Sequence, residues 1–333
     1  MATGSSNSRV ESAAAFALLR QPALDFLSAT GWRNARCEPL AGDASSRRYF
    51  RLTQGRHTVV LMDASANRDS MSPFVQLSQH LRRLGFSAPE IFECNPQLGL
   101  MLIEDFGDAS FWRLLAEGGL EDELYTLATD VLAALHRQPD AAPANLRAYG
   151  PEKMLADMEL FPEWVTPQIG EKALDEFRAA WLAVLPLAHQ VPQTLLLRDY
   201  HVANLMWLPR RKGVRRAGLL DFQDAYRGPI TYDLMSLLED ARRDVPDELR
   251  RKMKRRYLEQ FPNLDAQAFD ASLAILAAVR HTRVLAIFER LYRRDNKPDY
   301  KRLHSPRVQR LLQRALQHPL LKGVKAWMER YAG

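Results

Sequence analysis

The spacing of apolar residues changes near residue 105. Upstream, EPLAGDASSRRYFRLTQGRHTVVLMDA (38–64) alternates apolar and polar positions with the period of strands, broken by turn signals at AGDASS and TQGR. EIFE (90–93) and LGLMLIED (98–105) read as two more strands. Between them, PFVQLSQHLRRLG (73–85) has helical spacing, with Pro73 near its first turn and Gly85 past its last. A helix is also predicted over 10–31, ending at Gly31. Downstream of EDFGD (104–108), apolar residues recur three and four apart in FWRLLAEG and EDELYTLATDVLAALHRQ. Helical spacing returns around 151–160 and 171–189, and from Tyr232 to the end. Short strands interrupt it at TLLL (194–197), LMWLP (205–209) and AGLLDF (217–222). The pattern predicts an α+β fold in two lobes: β-rich over 11–105 and mainly helical over 106–333, behind a flexible tail at 1–10.

One segment breaks the pattern. LLLRDYHVANLMW (195–207) sets Arg198, Asp199, His201 and Asn204 between runs that read as buried strand. Polar groups near a core cost free energy unless they are paired or used. Asp199 is followed five residues later by Asn204, and Asp221 in LLDFQD lies 22 residues beyond Asp199. A hairpin of the flanking strands is expected to gather all three at one end. Phosphoryl transfer needs such a set. One carboxylate orients the attacking hydroxyl and accepts its proton, and oxygen ligands hold Mg²⁺ against a triphosphate. Protein kinases have the same D-x₄-N and Asp-Phe arrangement. Asp and Asn are also ordinary turn residues, so it is two such motifs in order, behind a β-rich lobe, that favour chemistry.

Composition narrows the alternatives. The 333 residues are 47% hydrophobic and 26% charged, an ordinary globular balance. A net charge of +6 suits an anionic ligand such as a nucleotide. Cys37 and Cys94 form no CxxC or Cys/His cluster, which excludes a zinc or disulfide framework and fits a reduced, cytoplasmic protein. LAILAAV (273–279) is too short to span a membrane and reads as a buried helix face. No signal peptide and no internal repeat is read. RRKGVRR (210–216) and RRKMKRRY (250–257) lack interleaved aromatic residues and read as solvated surface rather than a nucleic-acid site. Neither a Walker A loop nor GxGxxG occurs, which disfavours P-loop and Rossmann folds.

RDYHVANLM, GLLDFQDAYRGPITYDL and the β-rich lobe resemble the aminoglycoside phosphotransferase and choline kinase-like family, a branch of the protein-kinase-like fold. Its usual form is His-Gly-Asp-x₄-Asn, then Ile-Asp, then Gly-x₄-Asp-Leu. Here Leu197 and Arg198 replace His-Gly, while Gly228 and Asp233 match. Within the family, GDASSRRYFRL, VVLMDA, LIEDFGD and VLAIFERLYRRDNKPDY are most similar to bacterial anomeric sugar kinases of cell-wall recycling. The resemblance implies an ATP- and Mg²⁺-dependent kinase phosphorylating N-acetylmuramate or N-acetylglucosamine at the anomeric hydroxyl. It implies Asp199 as catalytic base, Asn204 and Asp221 as Mg²⁺ ligands, and Asp233 as a brace for the catalytic loop. The 11–105 lobe would hold the nucleotide, and 106–333 the catalytic and acceptor groups. LIEDFGD would be the hinge, with Glu104 and Phe106 offering backbone groups to adenine. Gln223 and Asp224 lie where polar side chains can meet sugar hydroxyls. His201 is either a satisfied loop histidine or a substrate contact.

The family's third-strand lysine is missing. Met62 stands at that place in VVLMDA, and the next helix, PFVQLSQHLRRLG, has no Glu to pair with a lysine. The counter-charge is expected from Arg47, Arg48 or Arg51 around the turn GDASSRR, with Ser45 and Ser46 donating to phosphates. Two rival readings remain at this stage. One is a pseudokinase, which intact Asp199, Asn204 and Asp221 oppose. The other is an aminoglycoside or amino-alcohol phosphotransferase, which would want an acidic acceptor pocket. The helical lobe offers Arg280, His281, Arg283, Arg293, Arg294 and Lys297 instead, suited to a neutral or carboxylate-bearing acceptor. Oligomeric state is not legible.

Overall fold

The computed structural model describes residues 18–40 and 47–332. The expected tail, the start of the 10–31 helix, and Ser45 and Ser46 lie outside the described residues. The chain forms two compact units. One is the chain up to Ser110 together with Met206–Gln223; the other is Phe111–Leu205 with Asp224–Gly333.

The first unit is built on a five-stranded antiparallel sheet in the order β1-β2-β3-β5-β4. The strands are β1 (Arg36–Leu40), β2 (Arg48–Gln54), β3 (His57–Asp63), β4 (Ile91–Asn95) and β5 (Leu100–Glu104). Register sets the two faces. Phe50, Leu61 and Leu102 align across β2, β3 and β5, and pack with Leu52, Val59 and Leu100 against Phe26 and Leu27 of the helix Gln21–Ala29. Each such side chain contributes about 1.5–3 kcal/mol by leaving water. Tyr49, Met62 and Met101 align on the opposite face, together with Arg51, Val60 and Ile103. Pro22 falls in the first turn of Gln21–Ala29, where its missing N–H costs nothing.

The sequence assigns the hairpin strands to the helical lobe, whereas by packing they belong with the sheet. β7 (Leu205–Trp207) pairs with β8 (Ala217–Leu219). Leu219 N–H donates to Ser87 O at 2.7 Å, Ser87 Oγ donates to Arg215 O at 2.7 Å, and Trp207 N–H donates to Ala109 O at 2.7 Å. Phe222 stacks on Phe74 of the helix Met71–Arg83, with ring centroids 5.2 Å apart.

The second unit is helical around a core that includes Phe177, Trp181, Ile275, Val308 and Trp327. Its longest helix, Ala266–Arg293, extends well beyond the LAILAAV run. By length and composition alone it could cross a membrane, but most of its apolar face is buried inside this unit. It also carries buried Arg280, His281 and Glu289. β6 (Gln193–Leu196) pairs antiparallel with β9 (Tyr226–Pro229), not with the following hairpin as the sequence suggests. β9 is YRGP, and a Gly and a Pro among four residues hide a strand. Gly228 lets the two strands close, because a Cβ there would lie 2.4 Å from Leu196 Cδ1 and would have to displace that side chain.

Candidate active site

In the second unit, the loop after β6 carries Asp199 and Asn204 and is held at nearly every polar point. Asp233, at the start of the helix Tyr232–Leu238, accepts the N–H groups of Leu197 and Arg198 at 2.5 and 2.8 Å. Burial pushes the Asp233 carboxyl up to about 7, against the pull of those N–H groups and of Arg280. Arg280 Nη1 donates to Arg198 O at 3.0 Å, and Tyr200 OH donates to Ala128 O at 2.8 Å. Arg198 has a left-handed backbone (φ 73°), which suits the glycine of the usual family form and costs a side-chain-bearing residue roughly 1–2 kcal/mol. Its guanidinium offsets that cost. It donates to Asp157 Oδ2 at 2.6 Å and lies 5.6 and 5.2 Å from the ring centroids of Tyr149 and Tyr226.

Asp199 is half-buried, with Arg280 Nη1 3.7 Å from its Oδ1. Burial alone would raise its carboxyl. Arg280, Arg283 and Arg198 outweigh it and hold Asp199 below the usual carboxylate range, so it is ionised at neutral pH. Asn204 Nδ2 donates to Asp199 O at 2.9 Å and approaches His201 Nε2 at 3.4 Å, which leaves Asn204 Oδ1 as an oxygen donor for a cation. Arg242 Nη1 also lies 3.4 Å from His201 Nε2. Both neighbours can only donate, which assigns Nε2 as the acceptor and the proton to Nδ1. Burial pushes His201 down to about 4, so the ring is neutral. His201 is therefore buried against Asn204 and Arg242.

The first unit carries Asp221 and the arginines. Arg47 Nη1 lies 3.7 Å from Asp221 Oδ1, and Arg47 Nε donates to Ser70 Oγ at 3.2 Å. Gln223 is buried and donates Nε2 to Asp221 Oδ1 at 2.8 Å, so it orients this carboxylate. Asp221 has φ 58°, a left-handed conformation that Asp tolerates better than most residues, and its carboxylate stays half-exposed. Asn204 Oδ1 in the second unit and the Asp221 carboxylate in the first are each hard oxygen donors of the kind Mg²⁺ takes. Among the described residues, no group of three or more His, Cys, Asp or Glu side chains is gathered for a metal. Asp224 is exposed beyond Gln223.

Strand alternation separates the three arginines. Arg48 points to the Phe50 face, donating to Asp63 Oδ2 at 2.5 Å and to Leu18 O at 3.1 Å. Its charge is paired with a buried carboxylate. Arg51 is held by Asp105 and Asp108 of the EDFGD stretch, at 2.7 and 2.8 Å. Met62 is fully buried and aligned with Tyr49, on the face opposite Arg48. Glu104 can offer adenine only its carbonyl, because its N–H donates to Glu90 O at 2.8 Å. Its carboxylate is ion-paired with Arg211, whose guanidinium sits 5.2 Å from the Phe106 ring centroid. The pattern along the chain missed Asp157 and the bracing roles of Arg280 and Gln223. Asp157 is a single acid on a short helix, and no motif marks it.

Comparison with known proteins agrees with this chemistry. A family model described as a phosphotransferase enzyme family matches residues 36–271. A Caulobacter vibrioides protein named N-acetylmuramate/N-acetylglucosamine kinase is 34% identical, covering 92% of this chain and 94% of that one. A Pseudomonas aeruginosa protein of the same name is 32% identical over 82% of each. Among solved structures, a choline/ethanolamine kinase family protein from Mesorhizobium loti superposes with a TM-score of 0.63 at 18% identity, covering 92% of this chain and 97% of that one. An ADP-bound aminoglycoside phosphotransferase superposes with a TM-score of 0.60 at 16% identity, covering 89% and 99%. These neighbours share the protein-kinase-like fold.

Proposed function

This chain belongs to the phosphotransferase enzyme family and is a kinase, and on that footing we propose that it phosphorylates N-acetylmuramate and N-acetylglucosamine at the anomeric hydroxyl, using ATP and Mg²⁺. The observation that carries the reading is the Asp199–Asn204 loop. It supports an ionised carboxylate and leaves a neighbouring amide oxygen for a cation. In this reading Asp199 accepts the hydroxyl proton as the sugar oxygen bonds to the γ-phosphorus. The bond from that phosphorus to the β-γ bridging oxygen breaks, leaving a sugar 1-phosphate and ADP. Asn204 and Asp221 would each offer an oxygen to Mg²⁺, which would neutralise triphosphate charge when bound. Arg47 supplies the fixed positive charge that a third-strand lysine gives elsewhere in the fold. The cytoplasm suits this reading, with ATP at hand.

The direct test is incubation with Mg-ATP and each sugar, with the phosphate located by NMR. Phosphate on the primary 6-hydroxyl would overturn the anomeric assignment. ATP consumption with aminoglycosides but neither sugar would overturn the acceptor.

The arginine assignment predicts a split between two adjacent residues. Arg47→Ala should raise the KM for ATP by roughly tenfold or more, the scale of a lost charge-assisted contact. Arg48→Ala should leave that KM nearly unmoved and instead lower stability by about 1 kcal/mol, because Asp63 loses its hydrogen-bonded arginine but keeps Ser65 and the longer contact to Arg20, and Arg48 itself is half in solvent. ATP kinetics and urea unfolding on both variants distinguish these outcomes. Equal ATP KM values in Arg47→Ala and wild type would move the counter-charge elsewhere.

A further inference from the structure

Asp157 draws three cations toward the catalytic loop. On the helix Pro151–Met158, it accepts from Arg198 at 2.6 Å and from Tyr149 OH at 3.2 Å, and it is ion-paired with Lys153. Arg283 Nε approaches the same carboxylate at 3.7 Å. Arg280, one turn before Arg283 on Ala266–Arg293, lies 3.7 Å from Asp199 Oδ1. Four cations (Lys153, Arg198, Arg280, Arg283) thus lie around Asp157 and Asp199, and Arg280 also faces Asp233 and Asp240. Burial pushes the Asp157 carboxyl up, but Arg283, Lys153 and Arg198 together hold it below the usual range. Arg283 also pulls on Asp199, so its charge reaches both acids.

The four cations differ in how far they are committed. Arg198 is locked against two tyrosine rings, and Arg280 is 5% exposed and bonded to the loop backbone. Arg283 is different. Among the described residues its polar contact is the 3.7 Å approach to Asp157, longer than a hydrogen bond, and its side chain keeps 18% exposure. Other basic residues of this unit are spent: His281 on Glu239 at 2.7 Å, Arg293 on Glu289 at 2.6 Å and Arg294 on Asp295 at 2.7 Å. A partly buried guanidinium whose nearest carboxylate is beyond hydrogen-bond distance favours binding of an anion, and its fork matches a carboxylate.

We infer that Arg283, supported by Lys153, binds a carboxylate on the acceptor and so distinguishes N-acetylmuramate, with its lactyl group, from N-acetylglucosamine, which lacks one. The inference rests on the sugar-kinase reading above. Three residues of helix advance roughly 4.5 Å, so Arg283 stands one turn along from the contact between Arg280 and Asp199. On the sugar, the lactyl ether at C3 is likewise set off from the anomeric hydroxyl by part of the ring. Arg283 is a specificity residue here and not part of the proton transfer.

The test compares kcat/KM for three acceptors: N-acetylmuramate, its methyl ester and N-acetylglucosamine. With wild type, the acid should exceed its ester by roughly 10- to 100-fold, the scale of a charge-assisted contact. In Arg283→Gln the acid should lose that advantage, and Arg283→Lys should restore part of it. The ester arm uses unaltered protein, so it holds even if a variant folds poorly. Equal rates for acid and ester with wild type would overturn the inference. So would an unchanged muramate-to-glucosamine ratio in a folded Arg283→Gln, and in both cases the sugar-kinase reading stands. Turnover of neither sugar by wild type would overturn that reading and this inference with it.

Discussion

Asp199→Asn is expected to lower kcat by a factor on the order of 10²–10⁴, the contribution of a positioned general base, while the fold and ATP binding persist. The geometry explains why the loss should be clean. The loop is fixed through Leu197 and Arg198 N–H to Asp233, Arg198 O to Arg280, Tyr200 OH to Ala128 O, and Asn204 Nδ2 to the backbone oxygen of Asp199. None of these contacts uses the Asp199 carboxylate. The pH dependence should carry the same signature. With its carboxyl held below the ordinary value by Arg280 and Arg283 against burial, Asp199 stays ionised as pH falls through about 4. Its share of stability is present above the unfolded-state pKa and is lost only at lower pH. An acid limb in kcat/KM near pH 7 would report Asp233, pushed up to about 7, rather than the base. A turnover near wild type in Asp199→Asn, with circular dichroism unchanged, would remove Asp199 from the chemistry.

Local spacing made much of this molecule legible, and tertiary packing decided the rest. The alternation in 38–64 and 98–105 gave sheet strands because β1, β2, β3 and β5 each put residues into the core formed with Gln21–Ala29, while β4 is an exposed edge strand. The helix Met71–Arg83 was readable from its period and from Gly85 at φ 89°. β9 was not readable. YRGP is a strand because Gly228 lets it close on Leu196, a property of the contact and not of the segment. The segregation of the arginines was beyond the sequence in a different way. Arg47 and Arg48 are adjacent and chemically identical, and only strand alternation sends one to Asp221 and the other to Asp63. Gln223 reads as a sugar contact by proximity to a motif, and in the structure its Nε2 donates to Asp221. Arg198 is the clearest local conflict. An arginine at φ 73° breaks the backbone rule, and Asp157 and two tyrosines far away in sequence hold it there.

Asp221→Ala is expected to abolish measurable turnover, a fall of at least about 10³, and to remove the Mg²⁺ dependence of ATP binding. Charge stabilisation through a metal at a phosphoryl centre is worth several kcal/mol, and each 1.36 kcal/mol is tenfold. Alanine makes two further changes. It costs roughly 1–2 kcal/mol in the left-handed conformation at φ 58°, and it strips the counter-charge from Arg47, which is 7% exposed. Asp221→Asn separates these effects. Asparagine tolerates the same backbone, keeps an oxygen for Gln223 Nε2, and removes only the charge. Both variants should therefore lose activity, while Asp221→Asn should unfold at nearly the wild-type urea concentration. Calorimetric titration of ATP with and without Mg²⁺ gives the deciding measurement. If ATP affinity in Asp221→Asn responds to Mg²⁺ as strongly as in wild type, the cation is held by other groups. Asp221 would then act through Arg47, as the residue that fixes the guanidinium, and Arg47→Ala would reproduce its effect.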